Sequence, residues 1–119
     1  MDYHAADWVT VAEMVEFSRR AARLLSSSES EALITAVATN PLAGDLIQGT
    51  GGIRKLRWSR GGRGKSSGVR VIYYFYNDDT PVYLLTIYGK GERGDLSSSQ
   101  RNDLAALVEV LKRRIKRES

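Results

Sequence analysis

The sequence contains no cysteine and only one histidine, His4. The first absence excludes disulfide bonds, metal sites built on thiolates and a cysteine nucleophile. His4 lies near the N-terminus, where chains are often poorly ordered, which argues against a catalytic role for it. The complete phosphate-loop motif GxxxxGK[ST] and the HExxH zinc motif are also absent. Any chemistry must therefore depend on other side chains.

Long apolar runs are missing as well. The runs Val71–Tyr76 and Val82–Tyr88 are far too short to cross a bilayer. The N-terminal residues MDYHAADWV lack the basic and apolar regions of a secretory leader. We therefore expect a soluble, cytoplasmic protein that does not contact a membrane.

Acidic residues are absent between Leu46 and Asn77, although the whole chain has 14 of them. The cations in that stretch are Arg54, Lys55, Arg57, Arg60, Arg63, Lys65 and Arg70. The formal net charge of the chain is +4, which predicts attraction to polyanions without specifying which one. The acid-free stretch must form a positive surface.

The size and composition of the chain are those of one globular domain. It has 119 residues, of which 42% are hydrophobic and 27% charged, so it can bury one core and should fold unaided. No linker or internal repeat divides it. We therefore interpret residues 1–119 as a single domain.

The N-terminal third predicts a strand followed by a helical hairpin. Trp8–Ala12 is rich in β-branched and aromatic residues, which is typical of a strand, and apolar residues then recur at helical spacing as far as Leu24. Ser28 and Glu31 have the spacing of a capping box, which predicts the start of a second helix. That helix should end at Asn40-Pro41, because proline crowds the preceding residue out of the α region.

The rest of the chain predicts three strands and a final helix. Ile53–Ser59 alternates like a strand, and Val69–Tyr76 and Val82–Tyr88 flank turn-forming residues at 77–80, which indicates an antiparallel hairpin. Ser97 and Gln100 have the spacing of another capping box, before an amphipathic helix. The order β-α-α-β-β-β-α indicates an α+β fold, with a small antiparallel sheet of about four strands packed against helices.

The strand cations are the candidates for a functional site. Lys55 and Arg57 should point to the same face of their strand, whereas Arg54 points to the other. Arg70 begins the next strand, and the last strand ends with the two further candidates, Tyr88 and Lys90. A tight hairpin would bring these residues to one rim of the sheet.

Such a rim suits RNA cleavage in which a ribose 2′-hydroxyl attacks the adjacent phosphate, because cations stabilise the charge that develops on the phosphoryl oxygens. This reaction needs no metal or cofactor. Arginine stays charged and can only clamp the phosphate, whereas a lysine or tyrosine with a lowered pKa can act as general base.

Each of these features also has a purely structural interpretation. Charges that alternate along a strand are commonly a solvated face, and strand tyrosines favour cross-strand packing. The cations of residues 112–117 compensate the negative end of a helix. The glycine-rich loop at 60–68 is the exception, because its three cations, Arg60, Arg63 and Lys65, favour contacts with RNA phosphates over a linker role.

Three segments closely resemble the HigB branch of the RelE/ParE toxin superfamily: GDLIQGTGGIRKLRW at 44–58, GVRVIYYFY at 68–76 and YLLTIYGKGERGDLS at 83–97. The motifs keep their order from about Asn40 to the C-terminus, whereas residues 1–39 match only in their layout of a strand and a helix pair. The resemblance implies a small sheet with helices on one side. In this family the catalytic groups are basic residues on the central strands, and the corresponding positions are Lys55, Arg57, Arg70 and Lys90, with Arg54 as a further RNA-binding candidate.

The resemblance also implies an activity and partners. Toxins of this kind are ribosome-dependent endoribonucleases that cut mRNA in the decoding site and are silenced by a tightly bound antitoxin. The antitoxin is expected to be a small helix-turn-helix DNA-binding protein, and the complex to repress its own promoter. Operator DNA would then be contacted only through that complex.

The sequence departs from the RelE pattern at two positions. The arginine that follows Gly-Lys is replaced by Gly91, and the tyrosine at the start of the last helix is replaced by Leu96 or Ser97. Tyr88 is the candidate to take over the tyrosine's part. The resemblance therefore supports a phosphate clamp better than it identifies a general base.

Two other functions stay open. ParE relatives share the fold and inhibit DNA gyrase by binding, without cleaving RNA. A degenerate toxin would bind its antitoxin and harm no cell. Several cations around one rim favour the nuclease, because a pure binding module does not need them.

Overall fold

The computed structural model describes residues 8–59, 68–89, 91 and 96–118. The predicted basic loop, with Arg60, Arg63 and Lys65, lies outside the described residues. The same is true of His4 and of the site candidate Lys90.

The described residues form three helices and five strands. Their order is β1 (Val11–Glu13), α1 (Val15–Leu24), α2 (Ser27–Thr39), β2 (Asp45–Leu46), β3 (Ile53–Trp58), β4 (Val69–Phe75), β5 (Val82–Gly89) and α3 (Ser98–Glu118). The α+β class expected from the sequence is confirmed. None of the described helices has both the length and the apolar character that a bilayer-spanning segment requires.

The strands form one five-stranded sheet in the order β1-β5-β4-β3-β2. The pairs β2–β3, β3–β4 and β4–β5 are antiparallel, and the β4–β5 pair confirms the predicted hairpin. β1 runs parallel to β5 at one edge, and the two-residue β2 forms the other edge. The sheet is thus mixed and has one strand more than the sequence indicated.

Helices cover both faces of the sheet. On one face α1 and α2 contribute Phe17, Ala21, Leu33 and Val37 to a core with alternate residues of β4 and β5. On the other face α3 contributes Val108, Leu111 and Ile115 to a second core. The expectation of helices on one side is therefore wrong, and burial on two sides explains why β4 and β5 are apolar at nearly every position.

The register of β4 and β5 contains one irregularity. Tyr73 lies opposite Leu84, but its neighbour Ile72 lies opposite Thr86, so Leu85 is an extra residue on β5. Such a bulge reverses the alternation of side chains beyond it. As a result Thr86 and Tyr88 point to the α3 face, the same face as Ile72.

The helix ends show which capping signals are used. Ser26 Oγ accepts a hydrogen bond from Glu29 N at 3.1 Å, and Glu29 Oε1 accepts one from Ser26 N at 2.8 Å. The capping box of α2 is therefore Ser26 with Glu29, and the predicted box at Ser28 is wrong by two residues. The predicted end at Asn40 is confirmed, since Asn40 N bonds to Ala36 O at 3.0 Å.

The capping box expected before the last helix is also present. Ser97 N donates to Gln100 Oε1 at 2.8 Å, and Gln100 N donates to Ser97 Oγ at 3.1 Å. The helix that follows, α3, reaches the residues just before β3. Its Lys112 and Val108 lie close to Gly51: a Cβ atom added at Gly51 would be 3.4 Å from Lys112 Nζ and 3.8 Å from Val108.

Candidate functional site

Three of the predicted site residues lie side by side on neighbouring strands. Arg57 of β3 is directly opposite Arg70 of β4, and Arg70 is directly opposite Tyr88 of β5. Residues opposite one another in an antiparallel pair share a face, with Cβ atoms about 4.5–5.5 Å apart. We call Arg57 and Arg70 the arginine pair.

Lys55 adds a third cation to the same face. It lies two residues before Arg57 on β3, opposite Ile72, and is half-buried. Since α3 passes over the Ile53 end of β3, Arg57, near the opposite end of that strand, is left exposed. Arg57 is thus the exposed member of the group, and Lys55 and Arg70 are half-buried next to the core that α3 forms.

The arginine pair is electrostatically unfavourable by itself. Like charges that lie directly opposite each other destabilise a sheet. Among the described residues, neither guanidinium has an ion pair or a side-chain hydrogen bond that would offset this repulsion, and Arg70 is only half-buried. A bound anion would relieve the repulsion, and two adjacent guanidinium forks match the oxygens of a phosphate.

Tyr88 lies beside these cations on the same face of the sheet, but it is covered. Its side chain is fully buried and belongs to the α3 core, which also includes Ile72 and Leu96. A tyrosine in this position has no contact with solvent, so the prediction that its hydroxyl faces a substrate does not fit its placement. In the structure Tyr88 is a core residue of β5, the strand that pairs with the strand of Arg70.

Arg54 is directed away from the arginine pair, as strand alternation predicted. It is opposite Tyr73, a residue of the α1 and α2 core. Its Nη1 atom donates to the carbonyl oxygens of Gly44, at 2.7 Å, and Leu42, at 3.3 Å. The guanidinium therefore holds the loop before β2, and nothing in its placement suggests a contact with RNA.

The same loop is held by a buried tyrosine that sequence reasoning missed. Tyr73 Oη accepts a hydrogen bond from Gly44 N at 2.8 Å and donates one to Pro41 O at 2.8 Å. Burial raises the pKa of this hydroxyl, although the bond from Gly44 and the charge of Arg54 oppose the shift. A Cβ at Gly44 would lie 2.9 Å from the hydroxyl oxygen, so this close approach requires glycine.

A second feature without a sequence signal is a contact between α1 and β5. Thr86 Oγ1 donates to Glu16 Oε2 at 2.6 Å, and Arg20 Nε donates to Ile87 O at 2.6 Å. β1 pairs only with Val82–Leu84, so these two contacts dock α1 along the remaining edge of β5. Residues this distant in the chain give no local pattern that could predict the pairing.

Next to the Glu16–Thr86 contact the surface forms a cleft of about 180 Å³. It lies between α1, β5 and the start of α3, and it is lined by Glu16, Thr86, Leu96, Gln100, Asp103 and Leu104. The described residues contain no group of three or more histidine, aspartate or glutamate side chains arranged to hold a metal ion.

The chain was compared with the models of known protein families, and none of them matches it.

Proposed function

We propose that this chain is a toxin that cleaves ribosome-bound mRNA, and that the arginine pair with Lys55 binds the scissile phosphate. The observation that carries the proposal is the arginine pair itself: two guanidinium groups directly opposite each other, with no anionic partner among the described residues. Because the two like charges destabilise the sheet, the pair is favourable only when an anion is bound between them.

The proposed reaction needs charge stabilisation above all. The 2′-oxygen of a ribose attacks the adjacent phosphorus, its proton is removed, and the bond to the 5′-oxygen of the next nucleotide breaks as that oxygen takes up a proton. The products are a 2′,3′-cyclic phosphate and a 5′-hydroxyl end. The arginine pair stabilises the negative charge that grows on the phosphoryl oxygens during the attack, and Lys55 adds to this from two residues along β3.

The biological setting of the proposal rests on the resemblance of residues 44–58, 68–76 and 83–97 to HigB toxins. It comprises action on the ribosome in the cytoplasm, inhibition by a helix-turn-helix antitoxin, and contact with operator DNA through the antitoxin complex. The positive surface supports it, because ribosomal RNA and mRNA are polyanions.

The proposal is tested by inducing the chain in bacteria and mapping new RNA 5′ ends with a ligation that requires a 5′-hydroxyl. Wild type should stop growth and create such ends inside translated codons. Arg57→Gln and Arg70→Gln should each lower the number of cuts by about two orders of magnitude or more. Losses of this size are typical when one group that stabilises the transition-state charge is removed from an active site. Arg19→Gln, on α1, removes the same charge from an exposed position and should cut like wild type.

Three outcomes would contradict the proposal in different ways. Growth arrest with intact transcripts would replace it by ParE-like binding of gyrase. Normal growth would indicate a degenerate toxin. Cutting that survives both arginine substitutions would retain the nuclease but remove its proposed site.

A further inference from the structure

The cleft beside Glu16 includes Thr86, which lies close to Arg70, one member of the arginine pair. Arg70 is directly opposite Tyr88, and Thr86 lies two residues before Tyr88 on the same face of β5. Arg70 and Thr86 are therefore diagonal neighbours, a relation that places them about 7–8 Å apart. Thr86 is also part of the cleft lining, so the cleft begins within the reach of one arginine side chain.

The lining of the cleft combines polar and apolar side chains. Glu16 and Asp103 contribute carboxylates, and Leu96 and Leu104 contribute apolar surface. Thr86 Oγ1 donates to one oxygen of Glu16, which fixes the orientation of that carboxylate. Gln100 accepts from Ser97 N through its oxygen, which leaves the amide nitrogen to donate.

These groups repel the phosphate backbone of an RNA but can bind one of its nucleobases. Carboxylates repel phosphates, so the backbone of an RNA held by the arginine pair would stay outside the cleft. A nucleobase is uncharged, its faces pack on leucine side chains, and its amino groups donate to carboxylates. The cleft volume of about 180 Å³ accommodates a single flat ring system of that kind.

We propose that the cleft binds one nucleobase next to the scissile phosphate, and that it favours bases with an exocyclic amino group over uracil. The inference rests on the function proposed above and assigns a base selectivity to the same site. Adenine, cytosine and guanine each carry an amino group that Glu16 or Asp103 can accept from. Uracil offers one ring N–H between two carbonyl oxygens, and these oxygens face repulsion from the carboxylates.

The test uses the RNA-end map of the induced wild-type chain and asks which base stands at each position around the cut. At one position within two nucleotides of the cut, uridine should be depleted about fivefold or more relative to its frequency in the translated mRNA, the lower limit for a good side-chain contact with a base. Asp103→Asn and Glu16→Gln keep the shape of the side chains and should reduce this depletion to less than twofold. Glu31→Gln removes a charge from an exposed site on α2 and should leave it unchanged.

The experiment can contradict the base-binding cleft without contradicting the proposed nuclease function. If the wild type cuts RNA with uridine as frequent as the other bases at every position, the base cleft is wrong and the nuclease stands. The same conclusion follows if the depletion persists at full size in both variants while they cut normally. If the wild type produces no cuts, both proposals fail together.

Discussion

At the scale of single residues, the arginine pair shows a conflict between stability and the proposed activity. Arg57 and Arg70 are directly opposite each other on the exposed part of the α3 face, and no described carboxylate pairs with them. A polar neutral residue at either position would pack as well and would not repel its neighbour. Since no described residue offsets the repulsion, we explain the pair by a bound anionic ligand.

This explanation predicts that Arg57→Gln stabilises the protein while it removes cleavage. The free energy of unfolding should rise by roughly 0.2–1 kcal/mol, the range for cross-strand pairs, because the repulsion of Arg70 is lost. Urea denaturation at low salt measures it. Arg19→Gln serves as the control, with a change near zero, and a clear loss of stability in Arg57→Gln would contradict the account.

The sequence predicts the face of the sheet to which a side chain points better than it predicts which residues pack on that side chain. Strand alternation was enough to separate Lys55 and Arg57 from Arg54. The burial of Tyr88 was not predictable, because it depends on α3, which packs on it from a distant part of the chain. The contact of Tyr73 with Gly44 is hidden for the same reason: its partners are 29 residues apart.

At the scale of helices and strands, local chemistry decides where the elements begin. Two boxes of the form Ser-x-x-Glu overlap at the start of α2, Ser26 with Glu29 and Ser28 with Glu31, and the structure uses the first. With this box the connection from α1, which ends at Leu24, consists of only Leu25 and Ser26.

The choice of box predicts different effects for two neighbouring serines. Ser26→Ala should lower the free energy of unfolding by about 1 kcal/mol, the typical contribution of an N-cap side chain. Ser28→Ala should change it by less than half as much, because Ser28 makes only a 3.3 Å contact with Ser26 Oγ. Thermal denaturation of the two variants compares them directly, and equal losses would show that the cap is not at Ser26.

Long-range pairing is the part of the fold that local patterns do not contain. The hairpin of β4 and β5 was predicted because residues 77–80 favour a turn. β1 pairs with β5 in parallel although some 70 residues separate Val11 from its partner Val82, and no turn signal records such a pairing. β2 has two exposed residues in a glycine-rich segment and shows no alternation.

At the scale of the whole molecule, the helices cover most of the sheet and leave part of one face exposed. α1 and α2 bury one face, and α3 buries Ile53, Ile72 and Tyr88 on the other, which leaves Arg57 exposed and Lys55 and Arg70 half-buried beside that core. The residues that carry the proposed function are thus held by two neighbouring strands, β3 and β4, with the core of α1 and α2 on the opposite face of the sheet. A rigid base of this kind fixes the spacing of the charges.

The central claim is that RNA is held by the arginine pair and not by the net positive charge alone. The direct measurement is the affinity of the purified protein for a single-stranded 2′-O-methyl RNA, which cannot undergo 2′-hydroxyl attack, at several salt concentrations. Arg57→Gln and Arg70→Gln should each weaken binding and lower the slope of log K against log salt by about 0.7, the value for one phosphate contact with single-stranded RNA. Arg19→Gln, which has the same net charge as these variants, should bind like wild type, whereas an equal loss in all three variants would contradict the claim.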